Sequence, residues 1–262
     1  MGFFDFFKKN KQETLKSNDI PTDLQKNTTE EKYCGDLSKT KIIRELCNVP
    51  KADRDENWNR KFLENVTTAS FRCGNPQIIE GPDGMRYFHL LLPEPNKEFE
   101  CFVIKNMVSD YLLSDGLGVV INADKNEPDW VFPYGDIVDF YLNGAFYTNQ
   151  ITNPYKSGTS VTDCLIGESR VMIGQPSETY LPNETRKVIR EFLESFGLNP
   201  KICLVAWIDQ NHQLTLAFNI VPEMFKKTDS ESFQSFLRFL QWYLPRHYKA
   251  VCMQENEHFK TL

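Results

Sequence analysis

Five carboxylates, Asp124, Glu127, Asp129, Asp136 and Asp139, crowd one stretch, "GLGVVINADKNEPDWVFPYGDIVD" (116–139). Carboxylates so close could share acid–base work if burial lifted one pKa away from another. They could also hold a cation. Asp124 and Asn126 fit the first two ligand positions of a calcium loop, but the next position is Pro128, no turn glycine follows, and Gly135 stands where the closing Glu belongs. Gly116 and Gly118 hint at phosphate binding, yet a dinucleotide turn needs a third glycine and a helix starting there. Here a β-branched run, Val119–Ile121, follows instead. The competing account is plain. Asp136 and Asp139 open a helix, where negative side chains suit the dipole, and Asp129 sits in a turn after Pro128.

The other reactive side chains are scattered. His89 falls in a strand, His212 in a turn, and His247 and His258 near the end, none beside a nucleophile motif. The seven cysteines include no closely spaced pair of the kind a zinc site needs. They read as reduced, buried thiols. The sequence therefore leads to the expectation of a non-enzyme with no cofactor and no metal. The enzymatic alternative is a metal-dependent hydrolase using the acidic loop 124–139 with His89.

The elements that must position these residues follow from periodicity. "SKTKIIRELCN" (38–48) puts Ile42, Ile43 and Leu46 on one helical face, and 53–66 does so with Trp58, Phe62, Leu63 and Val66. Strands at 69–73 and 76–81 lead through the turn "GPDG" to "RYFHLLLP" (86–93), and 102–113 returns to helical spacing. "LGVVIN" and "DWVF" are strands flanking the acidic loop, with Trp130 and Phe132 turned to the core. "YGDIVDFYLNG" (134–144) is a helix stopped by Gly144. Beyond an aperiodic stretch, "RVMIG" is followed by an amphipathic helix (181–197), in which Lys187/Glu191 and Arg190/Glu194 lie four apart. A hairpin, "KICLVAWI" and "QLTLAFNI", comes next. A helix over 228–244 opens with a Thr228–Glu231 capping box and carries Phe233, Phe236, Leu237, Leu240 and Leu244. The strand "YKAVCM" ends the series.

This predicts an α+β protein of two α/β sandwich domains. The expected units are an amphipathic N-terminus and polar arm (1–37), an acidic domain (38–150), a linker (151–164) and a second domain (165–262). The last has βαββαβ order, which points to a ferredoxin-like arrangement. Phe3, Phe4 and Phe7 share a helical face ahead of Lys8, Lys9 and Lys11, a pattern for a short amphipathic helix that packs on its own protein or a neighbour, with weak contact with a membrane surface as the alternative. No apolar run approaches the ~20 residues that span a bilayer.

Composition narrows function further. At 262 residues, 40% hydrophobic with 20 Phe, the chain can build real cores. A net charge of −6 argues against general nucleic-acid binding, which phosphate neutralisation drives. Residues 53–150 hold 16 acidic and 8 basic residues, a net of −8, whereas 151–262 balance at 12 against 12. Charge so uneven suits steering towards another protein with a basic surface. The contact residues expected are Asp124, Glu127, Asp129, Asp136 and Asp139, with their carboxylates facing outwards.

"GLGVVINADKNEPDW" (116–130) and "VMIGQPSETYLPNETRKVIREFL" (171–193) resemble the bacterial two-domain family named for enhanced serine sensitivity (SseB-like). The first is similar to the glycine, aliphatic strand and Asn late in that family's N-terminal domain. The second is similar to the strand, "GQP", second Pro and long helix that begin its C-terminal domain. The resemblance implies a bacterial, cytoplasmic protein and supplies no catalytic residues. It also brings in, by analogy, the domains of bacterial toxin-neutralising proteins, so the expected role is a non-catalytic protein-binding module of inhibitor or immunity type.

Overall fold

The structure is a computed structural model that describes residues 35–125, 127–148, 150–210, 212–224 and 230–262. The Phe3/Phe4/Phe7 segment, nearly all of the polar arm and the Thr228–Glu231 capping box lie outside the described residues. The fold is α+β with two sheet-containing regions.

In the first region α1 (Leu37–Cys47) starts on Asp36, whose carboxylate accepts the Ser38 and Lys39 amides at 2.8 and 3.2 Å. α2 (Glu56–Val66) starts on Asp55, which accepts the Trp58 amide at 2.7 Å. Such caps stabilise a helix by ~1 kcal/mol each. α2 buries Trp58, Phe62 and Val66 as its periodicity requires. α1 buries Thr40, Ile43 and Cys47, while Ile42 turns outwards. The Thr40 hydroxyl is satisfied by Ser70, accepting its amide and donating to its carbonyl, so this polar side chain fits the core without an orphaned group.

β1 (Arg72–Glu80) and β2 (Arg86–Leu91) form a bulged hairpin. Ile104–Met107, a π-helical turn at Val108–Leu112, and Leu113–Asp115 run together as α3. α3 returns the chain to β3 (Gly118–Ile121), parallel to β2. β4 (Trp130–Phe132) pairs antiparallel with β3, and α4 (Tyr134–Asn143) follows. The sheet order is β1-β2-β3-β4. Phe88, Leu90, Val119, Ile121 and Phe132 face a core shared with all four helices.

The second region contains β5 (Thr162–Ile166), β6 (Ser169–Gly174), α5 (Asn183–Glu194), β7 (Lys201–Trp207) and β8 (Gln213–Phe218). It ends with α6 (Ser230–Trp242), β9 (Lys249–Cys252) and the short β10 (Lys260–Thr261). The βαββαβ succession is present in β6–α5–β7–β8–α6–β9. Its spatial order differs from the ferredoxin-like expectation. A split βαβ unit holds its two strands parallel with a third between them, whereas β6 and β7 are direct antiparallel neighbours and the sheet runs β5-β6-β7-β8-β9. The connection over 175–200 brings the chain back to the end of the sheet it left. β8–α6–β9 is the parallel unit, matching β2–α3–β3 in the first region. β5 begins inside the stretch expected to be a linker.

The two sheets share α6. Its Phe236 and Leu240 pack on Ile202, Leu204, Leu216 and Phe218 of their own sheet. Its Phe239, Trp242 and Tyr243 pack on Tyr87, Val120 and Val131, the second face of the first sheet. The Trp242 indole N–H donates to the Tyr87 hydroxyl at 2.8 Å. A helix apolar on two faces can pack on both, and here only Gln234 and Arg238 of its described side chains are exposed. Backbones meet beside it: a Cβ on Gly135 of α4 would lie 1.9 Å from the Leu244 carbonyl oxygen, so only glycine fits there. Among the described residues no helix is long and apolar enough to cross a membrane.

Candidate functional site

The acidic loop joins β3 to β4, and the structure divides its carboxylates into two kinds. Asp129 is 6% exposed. One carboxylate oxygen accepts Arg54 Nη2 at 2.8 Å, and the other accepts Asn122 Nδ2 at 2.7 Å and Lys125 Nζ at 2.5 Å. Arg54 also donates to the Asp129 carbonyl and to those of Val49 and Cys47, and lies 4.5 Å over the Trp58 ring. Burial works to raise the Asp129 pKa, but hydrogen bonds from Lys125, Arg54 and Asn122 outweigh it and hold the group below the usual carboxylate range. This is a loop clamp.

Asp136, 1% exposed in the first turn of α4, accepts a two-pronged contact from Arg246 Nε and Nη2, each at 2.8 Å. The Tyr147 hydroxyl adds a third bond at 3.1 Å. Burial raises the Asp136 carboxyl above its usual range against the pull of Arg246. Asp139, 2% exposed, accepts from Asn143 Nδ2 and the Thr148 amide, closing the turn after α4. The expectation of outward-facing carboxylates is thus corrected for Asp129, Asp136 and Asp139. Each is spent inside the molecule: Asp129 and Asp136 on arginines far along the chain, Asp139 on Asn143 and the Thr148 amide. One consequence bears on the charge asymmetry: Arg246 belongs to the second region, so part of the first region's negative charge is met inside the molecule.

Asp124 and Glu127 do face solvent. Glu127 pairs with Lys51 at 2.7 Å, and this hydrogen bond keeps its pKa below the usual value. The pair joins the acidic loop to the segment between α1 and α2, where Asp53 and Asp55 are exposed, as is Glu56 at the start of α2. Asp55, Glu56, Asn57 and Arg60 line an open hollow beside it. The surface so formed displays five carboxylates, Asp53, Asp55, Glu56, Asp124 and Glu127, against Lys51, Arg60 and Lys125. The sequence reading passed over the 51–57 half, because nothing local joins residues so far apart. Beneath the surface Trp130 stacks on Trp58 at 5.7 Å and packs on Phe62 at 4.8 Å, while Phe132 is fully buried. Both aromatics serve the core, as expected.

His89 does not join this surface. It lies on β2, 7% exposed, with its ring so close to Gly74 that a Cβ there would meet Nδ1 at 2.1 Å. Neither ring nitrogen has a hydrogen-bond partner in the structure. Among the described residues no three His, Cys, Asp or Glu side chains come together as metal ligands. No protein-family model matches the chain, and no curated protein or solved structure matches it. The likeness to the enhanced serine sensitivity family therefore rests on its own residues, and the reading of this site on its geometry.

Proposed function

We propose that this protein acts by binding another protein, without catalysis of its own, through the acidic surface of Asp53, Asp55, Glu56, Asp124 and Glu127. The observation that carries the reading is the locking of two exposed acidic loops into one platform. Arg54–Asp129 and Lys51–Glu127 join them, and the Trp58–Trp130 stack supports them from below. A rigid base lowers the ordering cost of association, and the exposed carboxylates select a basic partner face. The concrete form of the proposal is an inhibitor or immunity-like protein of the bacterial cytoplasm. The family resemblance supports that form.

The test is association kinetics with the partner captured from the native cell by the immobilised chain. D124N/E127Q is expected to slow association, and the salt dependence is expected to flatten, since the Debye length falls from ~10 Å at 0.1 M to ~3 Å at 1 M. Unchanged rates at all salt concentrations would remove the acidic platform from the interface.

A further inference from the structure

A second feature, in the other sheet region and independent of the acidic platform, is a cleft of ≈ 540 Å³ beside α5. Its lining includes Lys156, Arg186, Arg190 and Lys260, against the single acidic side chain of Glu178. The net side-chain charge is +3, and it remains positive if a terminal carboxylate is counted at Leu262. Among the described residues none of these four cations makes an ion pair with a carboxylate side chain.

The two arginines form the floor. Arg186 is half-buried, and its Nε and Nη2 are fixed by the carbonyls of Leu181 at 3.0 Å and Pro176 at 2.6 Å. Arg190 follows four positions later on the same helical face. Its Nη1 donates to the Leu262 main-chain oxygen at 2.9 Å instead of reaching Glu194. Burial lowers the Arg186 pKa, outweighing the opposite pull of Glu178, with which Arg186 forms no ion pair. Arg186 already explains itself in part as a clamp on the exit from β6. That role leaves Nη1 of Arg186, and Nε and Nη2 of Arg190, without a hydrogen bond among the described residues. Lys156 and Lys260 stand exposed on the rim. Like charges do not converge for stability, and fixed guanidinium forks are suited to phosphate.

The volume lies within the range of small-molecule sites. None of the described lining residues is aromatic, so nothing is offered to stack on a base, whereas Thr159 and Asn183 present polar groups suited to hydroxyls. Asn183 also opens α5, whose N-terminal end favours negative charge. We propose that this cleft binds a small polyanion carrying phosphate groups, of the size of a sugar bisphosphate.

Calorimetric titration of the full chain with inorganic pyrophosphate and with a sugar bisphosphate at low salt tests this. Saturable binding of one ligand per chain is expected. K156Q/K260Q should weaken it about tenfold, the loss of charge-assisted contacts, while K249Q, an exposed lysine on β9, should leave it unchanged. The rim lysines are exposed, so the melting temperature of K156Q/K260Q should match the wild type. R190Q, which keeps the Arg186 clamp, should also weaken binding. The proposal is overturned if neither compound binds saturably, if K249Q weakens binding as much as K156Q/K260Q, or if a glutamate-rich peptide binds where both phosphate compounds fail.

Discussion

Asp129→Asn separates a structural carboxylate from a surface one with almost no change in shape. Asp129 and Arg54 have side chains 5% and 10% exposed and meet at 2.8 Å. At an effective dielectric constant of ~20, unit charges ~4 Å apart attract by ~4 kcal/mol. Part of that offsets desolvation, but removing one partner leaves the other charge buried and uncompensated, which costs ~3–5 kcal/mol. Lys125 is 51% exposed, so its share is at most ~1 kcal/mol. Asparagine would keep an acceptor for Arg54 while aiming an N–H group at the donors of Lys125 and Asn122. The expected loss is ~3 kcal/mol, a large part of the ~5–15 kcal/mol total for a natural protein. Urea denaturation at pH 7 measures it as a lower midpoint at unchanged slope. D124N/E127Q, altering exposed groups, should stay within ~0.5 kcal/mol of wild type. The pH dependence supplies a second reading. Asp129 is depressed in the folded state, so its contribution is present above the unfolded value of ~3.9 and lost as pH falls below it. D129N should lack that component of the acid slope. If D129N were as stable as D124N/E127Q, the loop clamp would be wrong.

The Asp136–Arg246 pair should fail asymmetrically, because the Asp136 side chain is 1% and that of Arg246 57% exposed. R246Q leaves a dry carboxylate and should cost ~3 kcal/mol, against ~1 kcal/mol for D136N, whose freed guanidinium can turn to water. The R246Q deficit should shrink as pH is lowered, since a raised folded pKa gives stability that is lost as pH rises through it, and the opposite order in urea melts would refute the assignment. Burial pushes the thiols of Cys47, Cys203 and Cys252 up to about 12. At pH 8 only ~1 in 10,000 would be thiolate, so iodoacetamide should label them in urea but not in the native protein, and fast native labelling of Cys203 would contradict its 1% exposure.

Local pattern carried the element-level reading well, because helix and strand periods are written in neighbouring residues. α2, α4 and the β7–β8 hairpin stand where their apolar spacing and glycine stops put them. β5 escaped notice because its alternation is broken at one position: Leu165, between the inward-packed Cys164 and Ile166, is 69% exposed. Pairing order was not legible, since periodicity says which residues form strands and not which strands meet. The same limit explains the candidate site. The buried cation for Asp129, Arg54, lies 75 positions away and that for Asp136 lies 110 away, so capping or solvation looked sufficient for both. The second apolar stripe of α6, Phe239, Trp242 and Tyr243, gains meaning only beside the first sheet.

That shared helix sets a delay in biosynthesis. Tyr87 and the Trp242 that covers it are 155 residues apart. At ~5–20 residues per second a ribosome needs roughly 10–30 s to traverse that interval. Through that time the first sheet carries Tyr87, Val120 and Val131 on a face whose cover has yet to be made. A fragment stopped near residue 150 would keep that apolar face uncovered permanently.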